Sequence, residues 1–344
     1  MRHVQHFLDQ AGLLTPHFIG VDLACQFFIA VGIDLNNTVP TLSHFAFTHL
    51  DQMKKDLQDD PQLLHQINAA LPMKPCTYSI IAAPSHSVTT HIIDIAADAT
   101  DAQQEQMIFQ AATRLFPHHA KELYFDYVPA PDEIAQKKHN YTAYLLVAAH
   151  KNGIERPLQL LKPSHAPTRI VDIDYNAIER GYALIKMAES ETPNKTGIID
   201  INADRILLTI FDNNECIYSS YHRYKLDGII EIIRANLHPP SDQKSTLIDQ
   251  QSTLLSHEVQ HVFNAYLAKE LGQPEQLYLS GHAALIPELE QLVTAATNTA
   301  TLKANPFKGL LQSTHIEPSL LAHYAPACLM TAGLAMRNIH YATH

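Results

Sequence analysis

His17-Phe18-Ile19-Gly20-Val21-Asp22 is a short apolar run that closes on a carboxylate, and the design returns as Thr196-Gly197-Ile198-Ile199-Asp200. A third run, Gln276-Leu277-Tyr278-Leu279-Ser280-Gly281, closes on small residues instead. Brief apolar runs bounded by turn-forming groups read as buried strands. An Asp-ended strand met near the start and again past mid-chain predicts an internal duplication of α/β class, its halves facing one another across a cleft.

The bulk properties allow this. With 344 residues, 46% hydrophobic and 17% charged, the chain has material for about two domains of roughly 150 residues. A net charge of -11, from 24 Lys+Arg against 35 Asp+Glu, excludes nucleic acid as a partner, because phosphate binding needs a basic face. Met1 to Pro16 lack the continuous apolar stretch of a signal peptide, and no later stretch is expected to supply the roughly 20 apolar residues of a membrane helix. Cys25, Cys76, Cys216 and Cys328 stand far apart, which fits reduced thiols and a cytoplasmic protein.

Turn signals divide the chain into an N-terminal tail (1–16), a first half (17–75), an inserted α+β subdomain (76–163), a return and crossover (164–195), a second half (196–320) and a C-terminal helix returning to the first half (321–344). Strands are expected at Phe27–Ile33, Thr77–Ala83, Val88–Ile95, Leu123–Val128, Thr142–Ala149 and Thr168–Asp174, and helices near Leu50–Ala70, Asp101–Phe116 and Asn176–Met187. Thr100 is placed to cap the second helix and Pro117 to stop it. His238–Gln251, with Pro239-Pro240, reads as an exposed loop and Glu189–Lys195 as a linker.

His257-Glu258-Val259-Gln260-His261 has the form of a zinc-peptidase motif, in which two His hold the metal and the Glu activates its water. The helix around it argues against that chemistry. Leu255, Val259, Val262, Phe263 and Tyr266 make the apolar stripe, and both His lie roughly 200° and 240° from Leu255, toward solvent. No extended metzincin pattern follows, leaving Glu275 or Glu288 as distant third ligands.

In order and nearly end to end, the chain resembles the PilM family, the actin-like, FtsA-related proteins of type IV pilus assembly. The resemblance is carried by Ile19-Gly20-Val21-Asp22, Ile81-Ala82-Ala83-Pro84-Ser85, Val171-Asp172-Ile173-Asp174 before Glu179-Arg180, and Ile199-Asp200. It continues in Leu279-Ser280-Gly281-His282-Ala283-Ala284-Leu285-Ile286-Pro287, Ala304-Asn305-Pro306-Phe307 and Thr331-Ala332-Gly333-Leu334-Ala335-Met336-Arg337. It implies an actin-like ATPase fold, of duplicated ribonuclease H-like type, with the α+β insert in the first half. It also implies an ATP site at Asp22, Asp200, Asn202 and Gly281, with Asp22 and Asp200 holding magnesium through water.

The partner implied is the cytoplasmic N-terminal tail of PilN, lying extended between the first-half core and the insert near the strand after Pro75 and the strand Arg169–Asp174. Through such partners the chain would meet the inner membrane and serve pilus or competence machinery. Asp174 sits where some relatives place a residue near the attacking water, but a strand-end carboxylate before a helix equally caps that helix. Asp22 and Asp200 have a plainer reading too, as Asx-type caps of their turns.

The departures from the family pattern are specific. Leu23-Ala24-Cys25-Gln26-Phe27-Phe28 follows Asp22 with no glycine, hydroxyl or lysine, and Asn202-Ala203-Asp204-Arg205 follows Asp200 where a Gly-Ala-Thr type turn is expected. Asp204 adds negative charge there unless Arg205 offsets it. With 11 Gly in 344 residues, about 3% against a typical 7%, close backbone approach to phosphates is hard to arrange. The expectation is a scaffold with a degenerate nucleotide site and no catalytic residue. Its rivals are an active ATPase or sugar kinase of the same fold and the cytoplasmic part of a type II secretion L protein.

Overall fold

The computed structural model describes residues 16–24, 26–36, 39–50, 61–117, 120–131, 140–189, 193–225, 229–235, 246–313 and 315–341. The tail before Pro16, Cys25, the start of the helix expected from Leu50, the centre of the linker and most of the Pro239-Pro240 loop lie outside them.

The strands, in chain order, are β1 (His17–Ala24), β2 (Phe27–Asn36), β3 (Val39–His49), β4 (Thr77–Ala83), β5 (Val88–Ala96), β6 (Leu123–Pro129), β7 (Tyr141–His150), β8 (Thr168–Ile173), β9 (Lys195–Ile201), β10 (Arg205–Asp212), β11 (Glu215–Arg223), β12 (Gln276–Ser280), β13 (Ala300–Lys303) and β14 (Leu311–Gln312). The helices are α1 (Pro61–Ala69), α2 (Asp101–Leu115), α3 (Glu155–Leu161), α4 (Asp174–Ala188), α5 (Ile229–Ala235), α6 (Thr246–Leu267), α7 (Leu289–Thr297), α8 (Pro318–Tyr324) and α9 (Leu329–Tyr341).

The duplication is visible in the sheets. One sheet runs β14-β3-β2-β1-β4-β8 and another β11-β10-β9-β12-β13. In each, three successive strands form an antiparallel meander, β1-β2-β3 or β9-β10-β11, and the first of them pairs in parallel with a later strand, β4 or β12. Asp22 and Asp200 therefore stand on equivalent central strands. These strands are buried on both faces, which is why they read as continuous apolar runs.

β3 was not anticipated, because His44-Phe45-Ala46-Phe47-Thr48-His49 mixes rings with polar groups. It is a half-buried strand whose Phe45 and Phe47 pack on the core. β4 pairs with β1, so it belongs to the first-half sheet and not to the insert, whose expected start was residue 76; a compact second unit runs from Ala83 to Leu158. Within that unit a sheet of order β5-β7-β6 carries Ile93, Ile95, Tyr144 and Leu146 against Ile108 and Ala112 of α2. The α2 start is capped as expected, the Gln103 side chain accepting the Thr100 backbone N–H at 2.9 Å. α6 begins at Thr246, inside the segment expected to be loop.

α9 returns to the first half and packs on α4 and β1 at backbone distance. A Cβ on Gly20 would overlap the Thr331 carbonyl oxygen, one on Gly181 that of Leu329, and one on Gly333 that of Ala177. Asp172, buried at the end of β8, ties the same elements, since both Arg180 of α4 and Arg337 of α9 pair with its carboxylate. Contrary to the sequence expectation, Pro318–Arg337 is long and apolar enough to cross a membrane, yet most of it is buried within the fold. Its apolarity is spent on the core.

Gly333→Ala places a methyl group against the Ala177 carbonyl with no flexible side chain to yield. Overpacking of this kind costs about 3 kcal/mol. Urea unfolding should show a loss of that size, and an unchanged midpoint would mean that α9 can move aside.

Candidate functional site

The end of β1, the β9–β10 turn and the turn after β12 converge in one polar cluster. Asp200 faces both neighbouring strands, opposite Leu207 of β10 and Ser280 of β12. Asn202 Nδ2 donates to its Oδ1 at 2.7 Å, and Ser280 Oγ donates to its Oδ2 at 2.8 Å. Both carboxylate oxygens are thus engaged by side chains, a different arrangement from an Asx cap. Asn202 is the hub. Its backbone N–H bonds the Arg205 carbonyl at 2.9 Å, closing the turn, and its carbonyl accepts from the buried Tyr224 hydroxyl.

The Asn202 Oδ1 accepts the His282 backbone N–H at 3.1 Å and lies 2.5 Å from His282 Nδ1. Gly281 makes this possible. At φ +86° it adopts the left-handed region, and a Cβ there would strike the Ile201 carbonyl, so the turn lies directly over the end of β9. His282 itself is fully buried. Its ring stacks on Phe27 at 5.0 Å and 27°, and its Nε2 stands 3.9 Å from Asp22 Oδ2.

The structure thus brings together all four sequence-predicted site residues, Asp22, Asp200, Asn202 and Gly281, and adds two the sequence reading underused. The sequence signal for His282 is a histidine directly after the turn glycine. Arg205 supplies the offsetting charge. Burial opposes its ionisation, but Asp200, Asp174 and Asp22 outweigh that and hold it charged. Asp174, the first residue of α4, is buried, with an oxygen 2.7 Å from the Tyr175 backbone N–H.

Burial pushes the Asp22 carboxyl up to about 6, against the pull of Arg205 and a bond from the Leu23 backbone. Burial likewise raises Asp200, with Arg205 and the Ser280 bond opposing it. The same burial pushes His282 down to about 4. The first turn closes between Ala24 and Phe27, with Gln26 at φ 71°, a conformation ordinarily left to glycine.

His257 and His261 on α6 are exposed, while Leu255, Val259, Val262, Phe263 and Tyr266 are buried, as the helical wheel required. Glu258 pairs with His222 of β11 at 3.0 Å. Among the described residues no three His, Cys, Asp or Glu side chains assemble into a metal site.

Residues 48–228 and 230–339 match the sequence model of the family described as type IV pilus assembly protein PilM. The chain belongs to the PilM family. Its role is accordingly in type IV pilus assembly, and its fold is the actin-like fold. A chain of a solved PilM-PilN type IV pilus biogenesis complex is 18% identical, with a TM-score of 0.67 covering 94% of this chain and 98% of that one. The ethanolamine utilization protein EutJ from Carboxydothermus hydrogenoformans is more distant, at 10% identity and TM-score 0.44 over 94% of this chain and 90% of its own. The archaeal actin homolog Ta0583 gives 11% and 0.43, covering 94% and 99%.

Asp22 and His282 titrate in opposite senses across one pH window. Asp22, raised from 3.8 to about 6, loses stability as pH rises through that range, because the folded state keeps a proton the unfolded state has released. His282, lowered from 6.5 to about 4, gains stability as pH rises from 4 to 6.5, because only the unfolded state is protonated there. Each is worth on the order of 3 kcal/mol and they nearly cancel. With Asp200 raised as well and common to both variants, denaturation between pH 4 and 6 should find a more positive slope of stability against pH in Asp22→Asn than in His282→Asn; equal slopes would contradict the assignment.

Proposed function

We propose that this PilM-family protein is a cytoplasmic scaffold of the type IV pilus assembly platform that docks the N-terminal cytoplasmic tail of PilN and meets the inner membrane through that partner. The observation that carries the reading is a terminal strand in a family whose solved relative is a complex with PilN. β8 ends the first-half sheet, with Val171 37% exposed, and an extended tail adds to such an edge through main-chain bonds. This mode needs no nucleotide.

The nucleotide site is degenerate in this proposal. Both Asp200 oxygens already accept protein hydrogen bonds, which leaves a single lone pair on each for the waters around a magnesium ion. The charge such an ion would supply is already present as Arg205, and the first turn has Gln26 where phosphate approach favours glycine. The residues at the site therefore do not fit magnesium-ATP. A submicromolar affinity for magnesium-ATP by calorimetry would contradict this and favour the rival reading, an active ATPase; weak or absent binding is expected.

Calorimetric titration with a synthetic PilN tail peptide in nucleotide-free buffer tests the docking. Micromolar or tighter binding is expected, and its absence would defeat the reading. The edge can be probed separately. The Pro167 carbonyl accepts from Ser79 of β4, so alternation along β8 turns the Ile170 N–H outward. Ile170→Pro should weaken the peptide about fivefold beyond Ile170→Ala, since both lose the side chain and only proline removes a ladder bond, typically worth about 1 kcal/mol; equal affinities would place the tail elsewhere.

A further inference from the structure

Aromatic, polar and apolar contacts join the two halves at the site. The His282 ring, borne by the second half, is inserted among first-half side chains: it stacks on Phe27 of β2, meets Phe47 of β3 edge-on at 6.3 Å, and faces Asp22 of β1. Phe47 in turn stacks face to face on Tyr324 of α8 at 4.4 Å and 11°. Below this seam the apolar core is continuous, with Phe27, Ile29, Val31 and Leu42 of the first half in one cluster with Ile199, Ile201, Ile206 and Leu285 of the second. A bond at the rim repeats the connection, Arg234 of α5 donating to the Gln26 side chain of the first turn at 2.6 Å.

Two polar atoms of His282 are fixed by one partner, while Nε2, 3.9 Å from Asp22 Oδ2, makes no hydrogen bond among the described residues. One ring nitrogen and the backbone N–H converge on Asn202 Oδ1, and Asn202 is anchored to Asp200 and Tyr224. The imidazole cannot leave without breaking this set and uncovering Phe27. Aromatic stacking and buried hydrogen bonds are each stabilising, and here they act on one side chain together.

We infer that His282 is a latch: inserted between Phe27 and Asn202, it holds the two halves in one closed arrangement without nucleotide. The inference rests on the reading of the nucleotide site as degenerate and gives it a consequence. The protein presents its docking surface continuously, and nucleotide does not regulate it.

Hydrogen exchange of the full chain, read by mass spectrometry with and without millimolar magnesium-ATP, tests this. In the wild type, peptides covering 17–36 and 276–288 should exchange at the same rates in both conditions. In His282→Ala they should exchange about tenfold faster or more, and in Phe27→Leu faster to a smaller extent, while peptides from 84–158 stay unchanged. If His282→Ala does not fold, His282→Asn keeps a polar group toward Asn202 while removing the stack, and serves the same comparison. Slower seam exchange with magnesium-ATP in the wild type, or a seam indifferent to losing the ring, would overturn the latch. Titrating the PilN tail peptide into the same preparations separates the two ideas: no binding with a nucleotide-insensitive seam sinks the docking reading alone, and binding with a nucleotide-sensitive seam sinks the latch alone.

Discussion

The contact of α9 with β1 and α4, made at backbone distance through Gly20, Gly181 and Gly333, is the constraint on which the other features depend. Without side chains at those three positions the C-terminal helix can lie against the strand that carries Asp22 and the helix that begins with Asp174. The turn preceding α9 continues the linkage, since the Gly281 N–H bonds the Pro326 carbonyl at 3.1 Å. One terminal element therefore fixes the positions of the first and third site turns together. In a chain with so few glycines, these three serve packing, and a fourth, Gly281, serves the turn that delivers His282.

The electrostatics of the cluster follow from that closeness. Three carboxylates, Asp22, Asp174 and Asp200, are gathered in a buried region, where isolated charges are costly and must be neutralised or paired. Here the compensation is built from the chain itself. Arg205 provides a permanent cation, Asn202 and Ser280 bond Asp200, and the neutral His282 imidazole stands beside a carboxyl whose own ionisation burial discourages.

Much of the architecture was legible in the sequence because its signals were local. The Asp-ended runs marked β1 and β9, the apolar stripe of Leu255, Val259 and Tyr266 marked the buried face of α6, and Thr100 with Pro117 bounded α2. What escaped depended on contacts between distant segments. β3 could not be read from its own residues, because Phe45 and Phe47 find their partners in Phe307 and Tyr324. β4 read as the start of the insert until its pairing with β1 placed it in the core sheet. At the site, Asp22 and Asp200 were found from strand endings, but the place of His282 needed the fold, since Phe27 and Asn202 reach it from opposite halves.

In the proposed function, docking of the PilN tail and occupancy of the nucleotide site are uncoupled. Coupling between two sites is reciprocal in binding free energy, so one comparison measures it: the dissociation constant of the tail peptide, by calorimetry, in magnesium-ATP and in its absence. Uncoupled sites give the same constant within about twofold, a coupling below about 0.5 kcal/mol. A peptide that binds tenfold or more tightly with magnesium-ATP, about 1.4 kcal/mol of coupling, would show a working nucleotide switch and contradict the proposed function.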